Sequence, residues 1–291
     1  MAERQVSPKV AVLVVGATIG LALVAVGATW YVESKKDLVA QVPGLGKFVI
    51  RDPKDVIQAE LFLGKPWEPE AVPIFEGYVT AGGSVADIGA YNGVHSVRFA
   101  NMVGPTGHVY AFEPNPKSFD MLRTNIALNH LESRVTLYPV GVADVPTTAH
   151  LVTPGEHNQG ATNTCSDEDV QAHRRDCDKA ASSPIQLIRV DDDVQRWFPT
   201  KVSFVKIDVE GYEEKVLKGS KAWLLRDHPA IWIEIWDDAM RKREKMTSTT
   251  ADIVALLGSY GYRIEIVAPP WDYLFVPVDA PHLKLPASLT P

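Results

Sequence analysis

Val85-Ala-Asp-Ile-Gly-Ala-Tyr-Asn-Gly93 reads as a buried strand running into a glycine-punctuated turn. Val85 and Ile88 are its apolar positions, Gly89 and Gly93 let the backbone turn tightly, and Val94, Val97 and Ala100 continue at helical spacing. A strand, a turn and a helix in that order form a ligand cradle at the strand's carboxyl end. Outward from it, Val109-Tyr-Ala-Phe-Glu113 is a second apolar strand ending in an acid. A carboxylate at that position accepts hydrogen bonds from both hydroxyls of a ribose. The two strands together imply a nucleoside-containing ligand.

The spacing inside the turn narrows the choice. A dinucleotide fingerprint is G-x-G-x-x-G, whereas here Gly89 is followed by Tyr91 and then Gly93. The missing middle glycine is the one that lets backbone approach a pyrophosphate, which weighs against NAD or FAD. Asp87 would repel a pyrophosphate but suits the ammonium and sulfonium of S-adenosylmethionine. Without Glu113, the same strand and turn would fit an α/β core that binds nothing.

The chain has 291 residues, 46% of them hydrophobic, which is ample for a folded core. Its net charge of -7 and the lack of a basic run interleaved with aromatics give no reason to bind nucleic acid. Cys165 and Cys177 are the only cysteines. Their spacing lacks the C-x-x-C grouping of a zinc site, and free thiols in a surface loop are expected, a disulfide following only from a lumenal or external location.

Val10 to Val32 is uncharged and bounded by Lys9 and Glu33. At ~1.5 Å per residue it would span the ~30 Å hydrocarbon layer, so a single transmembrane helix over residues 10–32 is expected. Trp30 and Tyr31 lie where an interfacial anchor belongs, and Gly16 and Gly20 would let two such helices pair as a homodimer. Ala25-Val-Gly27 would also serve as a cleavage site if the stretch were a secretory signal. Lys35, Lys36, Lys47 and Arg51 follow the span and only Arg4 and Lys9 precede it, which puts the larger part in the cytosol. The layout is then a tail (1–9), the membrane helix (10–32), a linker (33–46), a domain (47–280) and a tail (281–291).

Within the domain, Lys47 to Arg51 reads as a strand, and Asp55 to Leu63 and Glu70 to Val79 as helices capping the core. Asn115-Pro116 is an N-cap with proline at the first helical position, and Phe119, Leu122 and Ile126 form that helix's buried stripe. Val135 to Val142 is the expected third strand, its end near where an adenine would rest, which makes Val142 a candidate contact. Ala149 to Val152 and Ile185 to Val190 are strand-like around a polar stretch, Gly155 to Ser183, too long for an idle loop. In Val202-Ser-Phe-Val-Lys-Ile-Asp-Val-Glu-Gly211, Lys206, Asp208 and Glu210 alternate with apolar residues and share one face near the strand's end. Ala230 to Ile235 adds a strand carrying Glu234. Thr250 to Leu257 is a helix, and Tyr262 to Val267 with Tyr273 to Val276 is a closing hairpin.

Asp87-Ile-Gly-Ala-Tyr-Asn-Gly93, Ala111-Phe-Glu-Pro-Asn-Pro116 and Lys206-Ile-Asp-Val-Glu-Gly-Tyr-Glu213, with Asn158-Gln-Gly160 and Gly261-Tyr262 more loosely, resemble the FkbM-type methyltransferases across roughly Lys47 to Val278. The resemblance implies an α/β fold, a Rossmann-like seven-stranded sheet flanked by helices with its last strand antiparallel. It also implies S-adenosylmethionine as cofactor and methyl transfer, usually to oxygen. By it, Asp87, Gly89, Ala90, Tyr91 and Gly93 lie along the methionine part of the cofactor, Glu113 takes the ribose, and Asp208 sits beside the methyl group. Asp208, Glu210 and Glu234 are the candidate bases for a hydroxyl-bearing acceptor, with His95 and His157 behind them. No metal is expected, although Asp208 and Glu234 would suit magnesium if the acceptor were a diol. Two readings stand beside this one: a cofactor-binding but inactive membrane partner, and an NAD(P)-dependent oxidoreductase, against which Tyr91 and the absence of a Tyr-x-x-x-Lys pair within residues 47–280 both weigh.

Overall fold

The computed structural model describes residues 31–32, 37–152, 163–165, 184–268 and 271–281. A seven-stranded sheet forms its centre, in the order β13-β14-β12-β11-β4-β5-β6. Its strands are β4 (Ser84–Ile88), β5 (His108–Phe112), β6 (Val135–Tyr138), β11 (Phe204–Ile207), β12 (Ala230–Glu234), β13 (Tyr262–Ala268) and β14 (Asp272–Pro277). β6, β5, β4, β11 and β12 run parallel, and β14 is antiparallel to both β12 and β13. The expected sheet and its antiparallel last strand are therefore both present.

β4 is buried at all five positions, including the polar Ser84 and Asp87, because helices cover both faces of the sheet. On one face Phe75, Phe99 and Phe204 meet edge to face among α2 (Val72–Tyr78), α3 (Val94–Val103) and β11. On the other, Leu217, Trp223 and Leu257 from α6 (Glu213–Gly219), α7 (Lys221–Asp227) and α9 (Thr250–Ser259) pack on Val205 and Ile231. α4 (Pro116–Leu128) starts as expected, the Asn115 side chain accepting from the Lys117 amide with Pro116 behind it.

The hairpin β2 (Leu38–Val42) and β3 (Gly46–Ile50) and helix α1 (Val56–Phe62) form a cap on the core. Leu38–Val42 was expected as linker but is a strand, because Ala40 and Val42 bury against this layer. The expected membrane helix lies outside the described residues except for its last two. Those two, Tyr31–Val32, are a strand (β1) paired with Leu38 and Val39. Among the described residues no helix is long and apolar enough to cross a membrane.

Val135 to Val142 is not one strand. Val135–Tyr138 joins the main sheet, whereas Gly141–Val142 (β7) pairs with Pro184–Ile188 (β10) in a second sheet with β8 (Thr147–Val152) and β9 (Asn163–Cys165). Hydrophobic periodicity identifies strands but not the sheet each one joins. Cys165 is disulfide-bonded, which overturns the expected free thiol. The chain's other cysteine, Cys177, lies outside the described residues, as do His157 and Asn158-Gln-Gly160.

Candidate functional site

Strand order reverses between β4 and β11, the switch point at which open α/β sheets bind ligands. A cavity of about 490 Å³ opens there, over the carboxyl ends of the parallel strands. The main-sheet turns supply Gly89, Tyr91, Glu113, Asp208, Glu210 and Glu234; the cap supplies Trp67 and Glu68; the second sheet supplies Gly141, Val142 and Leu187; the start of β14 supplies Asp272.

Gly89 sets the geometry of the first turn. Its φ is +88°, and a Cβ there would run into the backbone carbonyl of Asp208, so only glycine lets the two strand ends close up. Tyr91 follows at φ +48°, a left-handed conformation that a bulky side chain adopts at a cost. Its backbone N–H donates to Glu113 Oε2 at 2.8 Å, and its hydroxyl donates to Asp55 Oδ1 at 3.0 Å while accepting from Gln58 at 2.9 Å. One residue thus fastens the cofactor turn to both β5 and the cap.

Glu113 also accepts from the Asn115 amide at 2.7 Å. A carboxylate has roughly four acceptor sites, so two remain for the hydroxyls of a ribose. Burial pushes its pKa up to about 7, against the two amide donors that favour the charged form, with Asp87 and Asp208 adding repulsion. On the same wall, Ser118 is 1% exposed and its hydroxyl finds no hydrogen-bond partner among the described residues. An adenosyl ligand fits this wall: it offers hydroxyls where there are spare acceptors and an orphaned hydroxyl.

The opposite end is acidic. One ligand oxygen from each of Asp208, Glu210 and Glu234 lies within 4.8 Å of the others. Lys206, buried at 3% exposure, reaches Asp208 Oδ2 at 2.7 Å. Burial opposes its charge, but Asp208, Glu68 and Asp87 outweigh that and hold the ammonium protonated. Burial, and then the charges of Asp208 and Glu210, push Glu234 up to about 11, and its side chain is hydrogen-bonded to Asp208. Asp272, the direct antiparallel partner of Glu234, is pushed up to about 7 by burial and by the charge of Glu68. Burial would raise Glu68, but His95, Lys206 and Arg98 lower it to about 2. The three clustered carboxylates are an oxygen set that a divalent cation would accept.

The structure brings Gly89, Tyr91, Glu113, Val142, Asp208, Glu210 and Glu234 to one cavity. Asp87, Ala90 and Gly93 stand behind it. Asp87 is fully buried, accepts from Ser96 at 2.5 Å and neighbours Lys206 across the β4–β11 ladder. His95 is also out of the cavity: its Nε2 faces Glu68 Oε2 at 3.2 Å and its Nδ1 meets Arg98 at 3.0 Å, which removes it as a base and makes it a clip on the cap. Glu68, Asp272, Ser118 and Lys206 were not assigned roles from sequence. Lys206 had a signal, its place on the charged face; Ser118 follows Glu113 by five residues without a pattern to mark it, and Glu68 and Asp272 come from distant segments.

The Methyltransferase FkbM domain model matches residues 87–264, more than half of the chain. The chain belongs to the FkbM methyltransferase family. FkbM methyltransferases use S-adenosylmethionine, which is the cofactor of this domain. Methyltransferase sdnD of Sordaria araneosa is 27% identical over 175 residues, 53% of this chain and 66% of that protein. Among solved structures, the FkbM methyltransferase of Methylobacillus flagellatus KT is 17% identical with a TM-score of 0.43, covering 67% of this chain and 43% of that one. The fibrillarin of Aeropyrum pernix, solved with natively bound S-adenosyl-L-methionine, is 12% identical with a TM-score of 0.42, covering 86% and 97%. The chain therefore spans less than half of the solved FkbM methyltransferase and about two thirds of the curated relative.

Proposed function

We propose that this FkbM methyltransferase methylates a hydroxyl oxygen, with Asp208 taking the hydroxyl's proton. The observation that carries this reading is the convergence of Asp208, Glu210 and Glu234 in the same cavity as the ribose-binding wall at Glu113. When bound, S-adenosylmethionine supplies an electrophilic methyl group on a positively charged sulfur. The chain's residues align the acceptor oxygen with that methyl, and alignment is the larger part of catalysis in such a displacement. As the new C–O bond forms and the C–S bond breaks, the hydroxyl proton passes to Asp208. Lys206 holds one oxygen of Asp208, and Glu234, kept protonated, donates to it, so the base is fixed in orientation. The cap lines the cavity with the apolar side chains of Trp67 and Ile57.

The test uses the full chain with methyl-labelled S-adenosylmethionine and a panel of alcohol, amine and thiol acceptors, the product bond being assigned by mass spectrometry. Label on oxygen is the expected result, and label on nitrogen or sulfur alone sinks it. Tethering through residues 10–32 is part of the same proposal. The Cys165 disulfide favours a non-reducing compartment for the domain over the cytosol that the flanking lysines suggest. Protease protection of the full chain in sealed vesicles separates the two orientations.

A further inference from the structure

Ser118 is the third residue of α4, one helical turn past the N-cap Asn115 whose amide holds Glu113. Pro116 has no N–H, and the Lys117 amide already donates to the Asn115 side chain, so what this end of α4 brings to the wall is the Ser118 hydroxyl. Burying a hydroxyl unpaired costs free energy, and a cavity wall is the one setting where a ligand removes the cost. Glu113 is an acceptor only, when ionised, whereas a hydroxyl both donates and accepts. A ribose hydroxyl that donates to Glu113 keeps its oxygen lone pairs, and it needs a donor for them. Ser118 and Glu113 line the same wall, and the Ser118 hydroxyl has no partner among the described residues.

We infer that Ser118 is a cofactor-binding residue, its hydroxyl donating to a ribose hydroxyl that Glu113 accepts from. Carboxylate and hydroxyl then read one sugar hydroxyl as donor and acceptor together, and a ribose lacking it loses both contacts. The inference rests on Glu113 being the ribose acceptor, and the test keeps the two apart.

The full chain is titrated calorimetrically with S-adenosylhomocysteine and with its 2′-deoxy and 3′-deoxy analogues, as wild type, Ser118→Ala and Glu113→Gln. The expected result is that Ser118→Ala weakens S-adenosylhomocysteine by about tenfold. One deoxy analogue, the one missing the shared hydroxyl, binds wild type and Ser118→Ala alike. Without ligand, Ser118→Ala melts no lower than wild type, since it only removes an unpaired buried group. An unchanged affinity in Ser118→Ala beside a weakened Glu113→Gln overturns the role of Ser118 and leaves the ribose site standing. Normal affinity in Glu113→Gln overturns the ribose site itself. Equal losses for all three ligands in Ser118→Ala, or a lower melting temperature without ligand, would make the hydroxyl structural and also overturn the inference.

Discussion

The backbone N–H of Tyr91 donates to Glu113 Oε2 at 2.8 Å, tying the turn after β4 to the end of β5. The same carboxylate that is to hold the ribose therefore also holds the turn beneath the rest of the cofactor. Glu113→Ala removes both roles. S-adenosylmethionine affinity is expected to fall by about 10- to 100-fold, measured by calorimetry, as for loss of a charged hydrogen-bond acceptor.

Glu113, Glu213 and Asp272 all have pKa values raised to about 7, in each case chiefly by burial. Between their ordinary values and about 7, the folded protein binds more protons than the unfolded chain, so stability falls as pH rises through that window. The ligand-free melting temperature should therefore drop from about pH 5 to pH 8. The stabilisation added by S-adenosylmethionine should grow over the same range, because the ionised form of Glu113 is the acceptor. A melting temperature that rises across this window contradicts the burial of these acids.

Gly89 and Gly44 share a positive φ, +88° and +74°, but differ in their surroundings. Nothing lies within 4 Å of a Cβ at Gly44, whereas at Gly89 it meets Asp208. Gly44→Ala should cost ~1 kcal/mol, the left-handed penalty alone. Gly89→Ala should cost ~3 kcal/mol or more, since β4 and β11 must part as well. Denaturant melts of the two variants read the difference.

Asp208→Asn keeps the shape of the side chain and removes its basicity. Turnover should fall by roughly 10²- to 10⁴-fold while cofactor affinity changes little. Glu234→Gln still donates a hydrogen bond to Asp208, so its turnover should fall by only about tenfold. If Glu234→Gln proves as slow as Asp208→Asn, the proton leaves through Glu234 instead.

The side of the cavity that we assign to the cofactor was legible in the sequence because it is local. Gly89, Tyr91 and Glu113 sit at the ends of strands whose apolar runs announce them, and Asp208 and Glu210 follow a period-two pattern. The acceptor half was not, because its residues meet only through tertiary pairing. Asp272 reaches Glu234 through an antiparallel register that no spacing encodes, and Glu68 arrives on the cap. Asp87 marks the turn in the sequence, yet it folds under it, where the charge of Lys206 and the hydroxyl of Ser96 receive it. The same limit split Val135 to Val142, since a two-residue break between Tyr138 and Gly141 carries the chain into another sheet.

Glu68 and Asp272 stand on the acceptor side of the cavity, and both fall outside residues 87–264, the span common to the family. On the proposed reading, Gly89, Tyr91 and Glu113 of the donor side lie inside that span, and part of the acceptor side is borrowed from the flanks on either side. Those flanks also hold the donor turn, because Asp55 and Gln58 grip the Tyr91 hydroxyl, so exchanging them would touch both sides of the cavity at once. A fragment trimmed to the family span would lose both, since it starts inside β4 and omits β14, the strand that joins β12 to β13.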